Sequence, residues 1–327
     1  MIILNAKEVR QSLPMQDTIE AMKIAFSAFS GGQAEVPIRC RLEIPPYNGT
    51  SLSMPAFVSG DNQALTLKVV SIFPDNSGRE LPIIHAAVMV FDAETGQILA
   101  LLEGGSLTAI RTGAASGAAT DLLSRPNSRT ATIFGAGVQG RTQLEAVCSV
   151  REIQSAAIVD PNIETAKIFI KEMKGKGNIP KDLRIMIDPD DAAQFGDILC
   201  TATTSHKPVY SADAVRPGTH INAVGSYTLD MIENPPEIIR KASVFVDSQE
   251  SAFAEAGEIV SAIRQKLLNS EGLVEFGDVC LGNHLGRQSD QEITFFKSVG
   301  IAVQDAIAAK LALENATDLG LGQTVTF

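Results

Sequence analysis

The stretch Thr130-Ala131-Thr132-Ile133-Phe134-Gly135-Ala136-Gly137-Val138-Gln139-Gly140 decides the fold. Five residues of strand character run into a G-x-G-x-x-G turn, and a helix is expected to follow through Val147. That is the order required of the first βα unit of a dinucleotide-binding domain. Gly135 permits the tight turn, Gly137 lets the backbone approach a diphosphate, and Gly140 lets the helix lie against the strand. The free N–H groups of Val138, Gln139 and Gly140 then point at the anion. The second strand, Ala156-Ala157-Ile158-Val159-Asp160, ends on a carboxylate twenty residues after Gly140. There it would accept hydrogen bonds from ribose hydroxyls and repel a 2′-phosphate. The following residues, Pro161-Asn162-Ile163-Glu164, bring no Arg to neutralise such a phosphate, so NAD(H) is expected over NADP(H). Asp160 has a second reading as N-cap of the helix at 162–174.

Downstream of this unit, strands are expected at 183–187, 197–201, 219–224 and 243–247, giving a parallel doubly wound sheet. The small polar run Cys200-Thr201-Ala202-Thr203-Thr204-Ser205 reads as a loop at the carboxyl ends of the strands, with Thr201 and Thr203 beside the nucleotide. Helical patterns follow at 253–266 and 299–315, the last with an apolar stripe able to pack back on the N-terminal region. Upstream, the spacing of Ile19, Met22, Phe26 and Phe29 predicts a helix over Pro14–Phe29. The segment 33–120 alternates extended runs with turns and predicts a mainly antiparallel sheet, its clearest hairpin turning at Asp92-Ala93-Glu94-Thr95-Gly96. An Ala-rich helix over 107–124 closes this region near Ser124-Arg125-Pro126-Asn127.

The 327 residues are more than one hydrophobic core usually serves, so two domains are expected. A hydrophobic content of 45% with 20% charged residues is an ordinary globular balance. A net charge of -11 argues against nucleic acid as a partner. No run approaches the ~18 apolar residues that span a bilayer. Met1–Glu8 meets charge at Lys7 without an apolar leader, so no export signal and a cytoplasmic location are expected. Cys40, Cys148, Cys200 and Cys280 form no C-x-x-C pair and read as reduced, mostly buried thiols. His85, His206, His220 and His284 have no metal-ligand spacing, and no metal is expected.

Several ordered segments together resemble the ornithine cyclodeaminase/mu-crystallin family over nearly the whole chain. They are Val36-Pro37-Ile38-Arg39, Ser53-Met54-Pro55-Ala56, the Lys68 strand, Leu107-Thr108-Ala109-Ile110-Arg111-Thr112-Gly113, the glycine turn, His220–Ser226, Glu255-Ala256-Gly257-Glu258, and Ser298-Val299-Gly300 with Gln304-Asp305. The resemblance implies an α/β architecture: a Rossmann doubly wound parallel sheet (residues 125–304) inserted into a second α+β substrate and dimerisation domain (1–124 and 305–327), and a homodimer through the N-terminal sheet. It also implies that Arg39, Lys68 and Arg111 line the site, and that Thr112, Val224, Gly225, Ser298 and Gly300 attend the cofactor. Guanidinium groups suit a carboxylate, and a lysine suits polarising or protonating an imine. Arg41 alternates with Arg39, and the Pro-x-Arg match selects Arg39.

Cyclising members of the family carry an Asp after the glycine of this Val-Gly segment, where this chain has Ser226, which joins the candidate catalytic group. A neutral hydroxyl does not hold an ammonium as a carboxylate does. Asp230, four residues on, reads as a loop or N-cap carboxylate, and Glu255 is a second candidate proton carrier. The expected reaction is NADH-dependent reduction of a small cyclic imino acid, or reductive amination of a small 2-oxo acid. An ornithine cyclodeaminase-type lyase, a hydroxyproline dehydratase and a non-enzymatic nucleotide-binding protein are the alternatives.

Overall fold

Strand β1 (Ile2–Leu4) leads into α1 (Ala6–Ser12), whose first turn is closed by Asn5 and Glu8 in a reciprocal capping box. Helix α2 (Met15–Ser30) follows, with Ile19, Met22 and Phe26 fully buried along its expected stripe. Next come β2 (Ala34–Glu35), β3 (Cys40–Ile44), β4 (Gly49–Val58), β5 (Ala64–Ile72), β6 (Ile84–Phe91) and β7 (Ile98–Glu103). The β6–β7 turn is held by the Asp92 carboxylate, which accepts from the Glu94 and Thr95 amides. Helix α3 (Gly104–Leu123) then leads to the alternating part of the chain.

There the order is β8 (Thr130–Phe134), α4 (Val138–Val150), β9 (Ser155–Val159), α5 (Ile163–Met173), β10 (Asp182–Ile185), α6 (Pro189–Phe195), β11 (Ile198–Thr201), β12 (His220–Ala223), α7 (Pro236–Lys241) and β13 (Ala242–Val246). It continues with α8 (Gln249–Glu255), α9 (Gly257–Arg264), β14 (Leu273–Glu275), α10 (Phe276–Cys280) and β15 (Ile293–Lys297), then α11 (Ala302–Leu319) and β16 (Gln323–Thr324). The computed structural model describes residues 1–79, 81–269 and 272–326.

Two units result: Met1–Arg111 with Ile301–Phe327, and Thr112–Gly300. The sequence places the first division at 124/125; the structure places it inside α3, where an unbroken Ala-rich helix offers no punctuation to read. In the first unit the sheet order is β16-β1-β7-β6-β5-β4-β2, with β3 also on β4. All pairs are antiparallel except β1–β7. Helix α11 lies over β4, β5 and β6 and against α2, so the last helix does return to the N-terminal region. It starts three residues later than its apolar pattern because Gly300, at φ +81, is outside helical space.

The second unit is an eight-stranded sheet in the order β10-β9-β8-β11-β12-β15-β13-β14, parallel throughout. Strands β8, β11, β12 and β15 are buried almost end to end, as helices on both faces of a parallel sheet require. Strand β9 lies on one side of β8 and β11 on the other, so the crevice for a ligand opens at the carboxyl ends of β8 and β11. The single helix expected over 253–266 is two, α8 and α9, broken at Ala256. At Gly257 a side chain would come within 2.2 Å of the Met231 carbonyl, so the chain turns where another loop presses on its backbone.

Candidate active site

In the first unit, Lys68 sits in the middle of β5, paired with Met54 of the Met-Pro-Ala segment on β4. Strand alternation puts Lys68 on the buried side with Ala64 and Thr66. Its ammonium donates to Oδ2 of Asp305 on α11. The other oxygen, Oδ1, accepts from Arg111 Nε at 2.9 Å. A second guanidinium nitrogen, Nη1, donates to Gln304 Oε1 at 2.8 Å. All four side chains are essentially out of water.

Burial lowers the Lys68 pKa to about 8 against the pull of Asp305, and the charges of Arg111 and Arg39 push it the same way as burial. Burial alone would raise the Asp305 carboxyl, but Arg111 and Lys68 hold it below the usual carboxylate range. Arg39 is half-buried and near enough for Lys68 to feel its charge, whereas Arg41 is exposed and tied to Glu43. The structure therefore brings Arg39, Lys68 and Arg111 together. It adds Gln304 and Asp305, which the sequence reading treats only as part of a motif. Lys68 and Arg111 share one carboxylate, and a negatively charged ligand group suits such a pair of cations.

In the second unit, the glycine turn has the shape its sequence demands. Gly135 has φ +99, and a side chain there would come within 2.5 Å of the Ala202 carbonyl. At Gly140 a side chain would overlap the Gly135 carbonyl at 2.0 Å. Gly137, by contrast, faces open space at the N-cap of α4, beside the free amides of the first helical turn. An open glycine between two closed ones is a cradle for a diphosphate, and the residues present fit a dinucleotide. Val138 is exposed and Gln139 half-buried at the same turn. The Asp160 carboxylate accepts from the Ala136 amide at 2.8 Å and from the Asn162 amide at 2.8 Å. Asn162, not Asp160, caps α5, which removes the N-cap reading of Asp160. Thr112 is buried, and its carbonyl accepts from Gln143 on α4.

At the ends of β11 and β12 the loops are pressed together: a side chain on Gly225 would lie 2.3 Å from the Thr203 carbonyl. Val224, just before it, is half-buried. The Thr201 hydroxyl accepts from Asn234 at 3.0 Å. Ser298 and the Gly300 amide both donate to Asp247 at the end of β13, at 2.8 and 2.7 Å.

Ser226 has a different task from the one expected of it. The residue is fully buried; its hydroxyl donates to Glu258, and Lys297 donates to its hydroxyl oxygen at 2.6 Å and its carbonyl at 2.7 Å. So committed a hydroxyl anchors its loop. Asn234 joins this network, bonding Glu258 at 3.1 Å and accepting from Tyr210 at 2.6 Å. Glu258, not Glu255, is the fully buried carboxylate of the Glu-Ala-Gly-Glu segment. Lys297, Glu258, Glu233 and Asn234 are absent from the sequence-derived site, although Lys297 ends the mostly apolar stretch Ile293-Thr294-Phe295-Phe296.

His220 bridges Thr294 and Asn222, and burial lowers its pKa to about 3. Asp230 is exposed in a loop beside Thr228 and His206. Among the described residues no cluster of three metal-ligating side chains occurs. Cys148 and Cys200 are buried and pushed up to about 12 by burial, but Cys40 is exposed on β3.

The Δ1-pyrroline-2-carboxylate reductase of Thermococcus litoralis, solved in complex with NADH and L-proline, is 41% identical, with a TM-score of 0.94 over 99% of this chain and 100% of its own. A Δ1-pyrroline-2-carboxylate reductase of Bacillus cereus is 38% identical over 100% of both chains. An alanine dehydrogenase of Archaeoglobus fulgidus is 35% identical over 100% of this chain and 98% of its own. A family model matches residues 1–320, and this chain belongs to the ornithine cyclodeaminase/mu-crystallin family.

Proposed function

We propose that the chain is an NADH-dependent reductase of a small cyclic imino acid, Δ1-pyrroline-2-carboxylate or Δ1-piperideine-2-carboxylate, yielding proline or pipecolate. The observation that carries this reading is Lys68, buried beside Asp305 with its pKa brought to about 8 and with Arg111 on the same carboxylate. Arg39 and Arg111 hold the substrate carboxylate. The ammonium of Lys68 holds or passes the proton that the imine nitrogen takes up, and a lysine near pH 8 can both give and regain one. Amides at the start of α4 hold the diphosphate, and Asp160 takes the ribose hydroxyls and disfavours a 2′-phosphate. The bound nicotinamide supplies the hydride for the C=N carbon.

Reductive amination of a small 2-oxo acid is the second reading, favoured by the resemblance to an alanine dehydrogenase. It passes through the same C=N acceptor. A cyclising deamination is disfavoured because Ser226 is neutral and already bonded to Glu258 and Lys297. No helix among the described residues is long and apolar enough to cross a membrane. An exposed, unpaired Cys40 thiol fits the reducing cytoplasm. We further propose a homodimer through the first unit's sheet, in or beside which Ile38, Leu42, Tyr47 and Ile84 are exposed. Sedimentation at several concentrations tests it.

The deciding experiment follows the nicotinamide absorbance with pyrroline-2-carboxylate, piperideine-2-carboxylate, pyruvate with ammonia, and ornithine. Oxidation of NADH with a cyclic imino acid, at a rate above that with pyruvate and ammonia, is the expected result. Proline and ammonia formed from ornithine without net NADH oxidation would overturn it.

A further inference from the structure

Two loops leave the carboxyl ends of the neighbouring strands β11 and β12, the end of a doubly wound sheet at which nucleotides bind. One side chain ties both of them. Oε1 of Glu233 accepts from the Thr203 amide at 2.5 Å, and Oε2 from the Ser226 amide at 2.8 Å. The fit has no slack, since a side chain on Gly225 would also lie 2.4 Å from Glu233 Oε1. Glu233 is fully buried, as are Lys297 and Glu258.

We propose that Glu233 is a positioning residue for the cofactor: a single carboxylate clamp that sets the spacing of the Thr203 and Ser226 loops and so the affinity for the nicotinamide dinucleotide. It rests on the dinucleotide reading above. An ionised carboxylate accepts from both amides. A protonated one turns one oxygen into a donor facing an N–H group, and that bond is lost. The groups facing Glu233 are Lys297 from the end of β15 and Glu258 from α9, with Tyr210 nearby through Asn234. The other ionisable side chains of these loops, His206, Lys207, Asp213, Arg216, Tyr227 and Asp230, are exposed, and His206 pairs with Asp230.

One cation, Lys297, thus serves two buried carboxylates. Burial raises the Glu233 pKa to about 7; Lys297 opposes the rise and Glu258 adds to it. The clamp is therefore closed above about pH 7 and half open at it. Loss of one charge-assisted hydrogen bond is worth about a tenfold change in an equilibrium constant.

The test is equilibrium titration of the full chain with NADH, read by nicotinamide fluorescence, between about pH 6 and about pH 8. Wild-type affinity should strengthen about tenfold across a midpoint near pH 7. Glu233→Gln, of the same size, should bind weakly and show no midpoint. His206→Gln should keep it, because the exposed imidazole is not part of the clamp. In turnover, Glu233→Gln should raise the KM for NADH and leave kcat at saturating NADH near wild type. A flat wild-type profile, or a midpoint that survives in Glu233→Gln, overturns the proposal. If Glu233→Gln does not fold, the wild-type and His206→Gln profiles decide. Absence of NADH uptake at every pH would overturn the dinucleotide reading as well, which separates the two failures.

Discussion

Among the described residues each unit buries a lysine in a strand, Lys68 in β5 and Lys297 at the end of β15, and the two differ in the charges beside them. Around Lys68, two buried cations, Lys68 and Arg111, share the Asp305 carboxylate, with Arg39 close enough for Lys68 to feel its charge. Around Lys297, one cation meets two carboxylates, Glu258 and Glu233. An ionic cluster left with uncompensated charge in low dielectric is costly. In the function proposed above, the first cluster takes up an anion, the substrate carboxylate. The second is completed by a proton, which suits a carboxyl that titrates near neutrality. On this proposal the same residue type, buried in both places, serves ligand binding in one and loop positioning in the other.

The largest effect that separates the two clusters is catalytic. Lys68→Met should reduce kcat/KM for imine reduction by about 10²–10⁴-fold, the span typical of a lost proton donor, with the NADH dissociation constant unchanged. Steady-state kinetics with a parallel fluorescence titration checks both. A fall in NADH affinity of the same size would make Lys68 a structural cation like Lys297.

Stability ranks next. Asp305→Asn strips Lys68 and Arg111 of their shared counterion, and unpaired buried charges of this kind cost about 3–5 kcal/mol. Glu258→Gln should cost less, because Glu233 remains to balance Lys297. Urea denaturation of the two variants gives the order, and an equal or reversed loss would break the contrast between the clusters.

Acidity separates them more gently. The Lys68 ammonium is the proton-bearing form, so kcat/KM for imine reduction should decline as pH rises through about 8. A lysine whose pKa is depressed on folding contributes stability that is complete above its ordinary value of 10.5 and is lost as pH falls through about 8. Activity and this part of the stability therefore run in opposite directions over the same window. A pH–rate profile beside thermal melts shows it, and a rate that holds level to about pH 10 would remove Lys68 as the donor.

How much of this was legible in the chain follows from where the constraints lie. The glycine turn and Asp160 are local: each glycine answers to a backbone contact within one βα unit, so spacing alone exposes them. Lys68 shows because a cation in Leu65–Ile72 breaks an apolar run. The Lys297 network was not read, because topology assembles it. Strand β15 is the last of its sheet in sequence yet lies between β12 and β13, and only that crossing brings Lys297 to Ser226 and Glu258. Asp305 was hidden in the same way, 237 residues from Lys68. Ser226 was placed by a motif whose neighbours were unknown, and those neighbours changed its role.

The smallest effect belongs to Asp160, a carboxylate of the nucleotide half that lies outside both ionic clusters. It is partly exposed and has hydrogen-bond donors, the Ala136 and Asn162 amides, but no buried cation. Removing it strands no charge, so Asp160→Ser should leave the fold intact. What it loses is acceptance of ribose hydroxyls and repulsion of a 2′-phosphate. NADH affinity should fall by about tenfold, the worth of one to two hydrogen bonds, while NADPH affinity stays level or rises. Paired titrations with the two dinucleotides measure the ratio. Equal losses for both would mean that Asp160 serves only to hold the Ala136 amide, and that the preference for NADH has its source elsewhere in the turn.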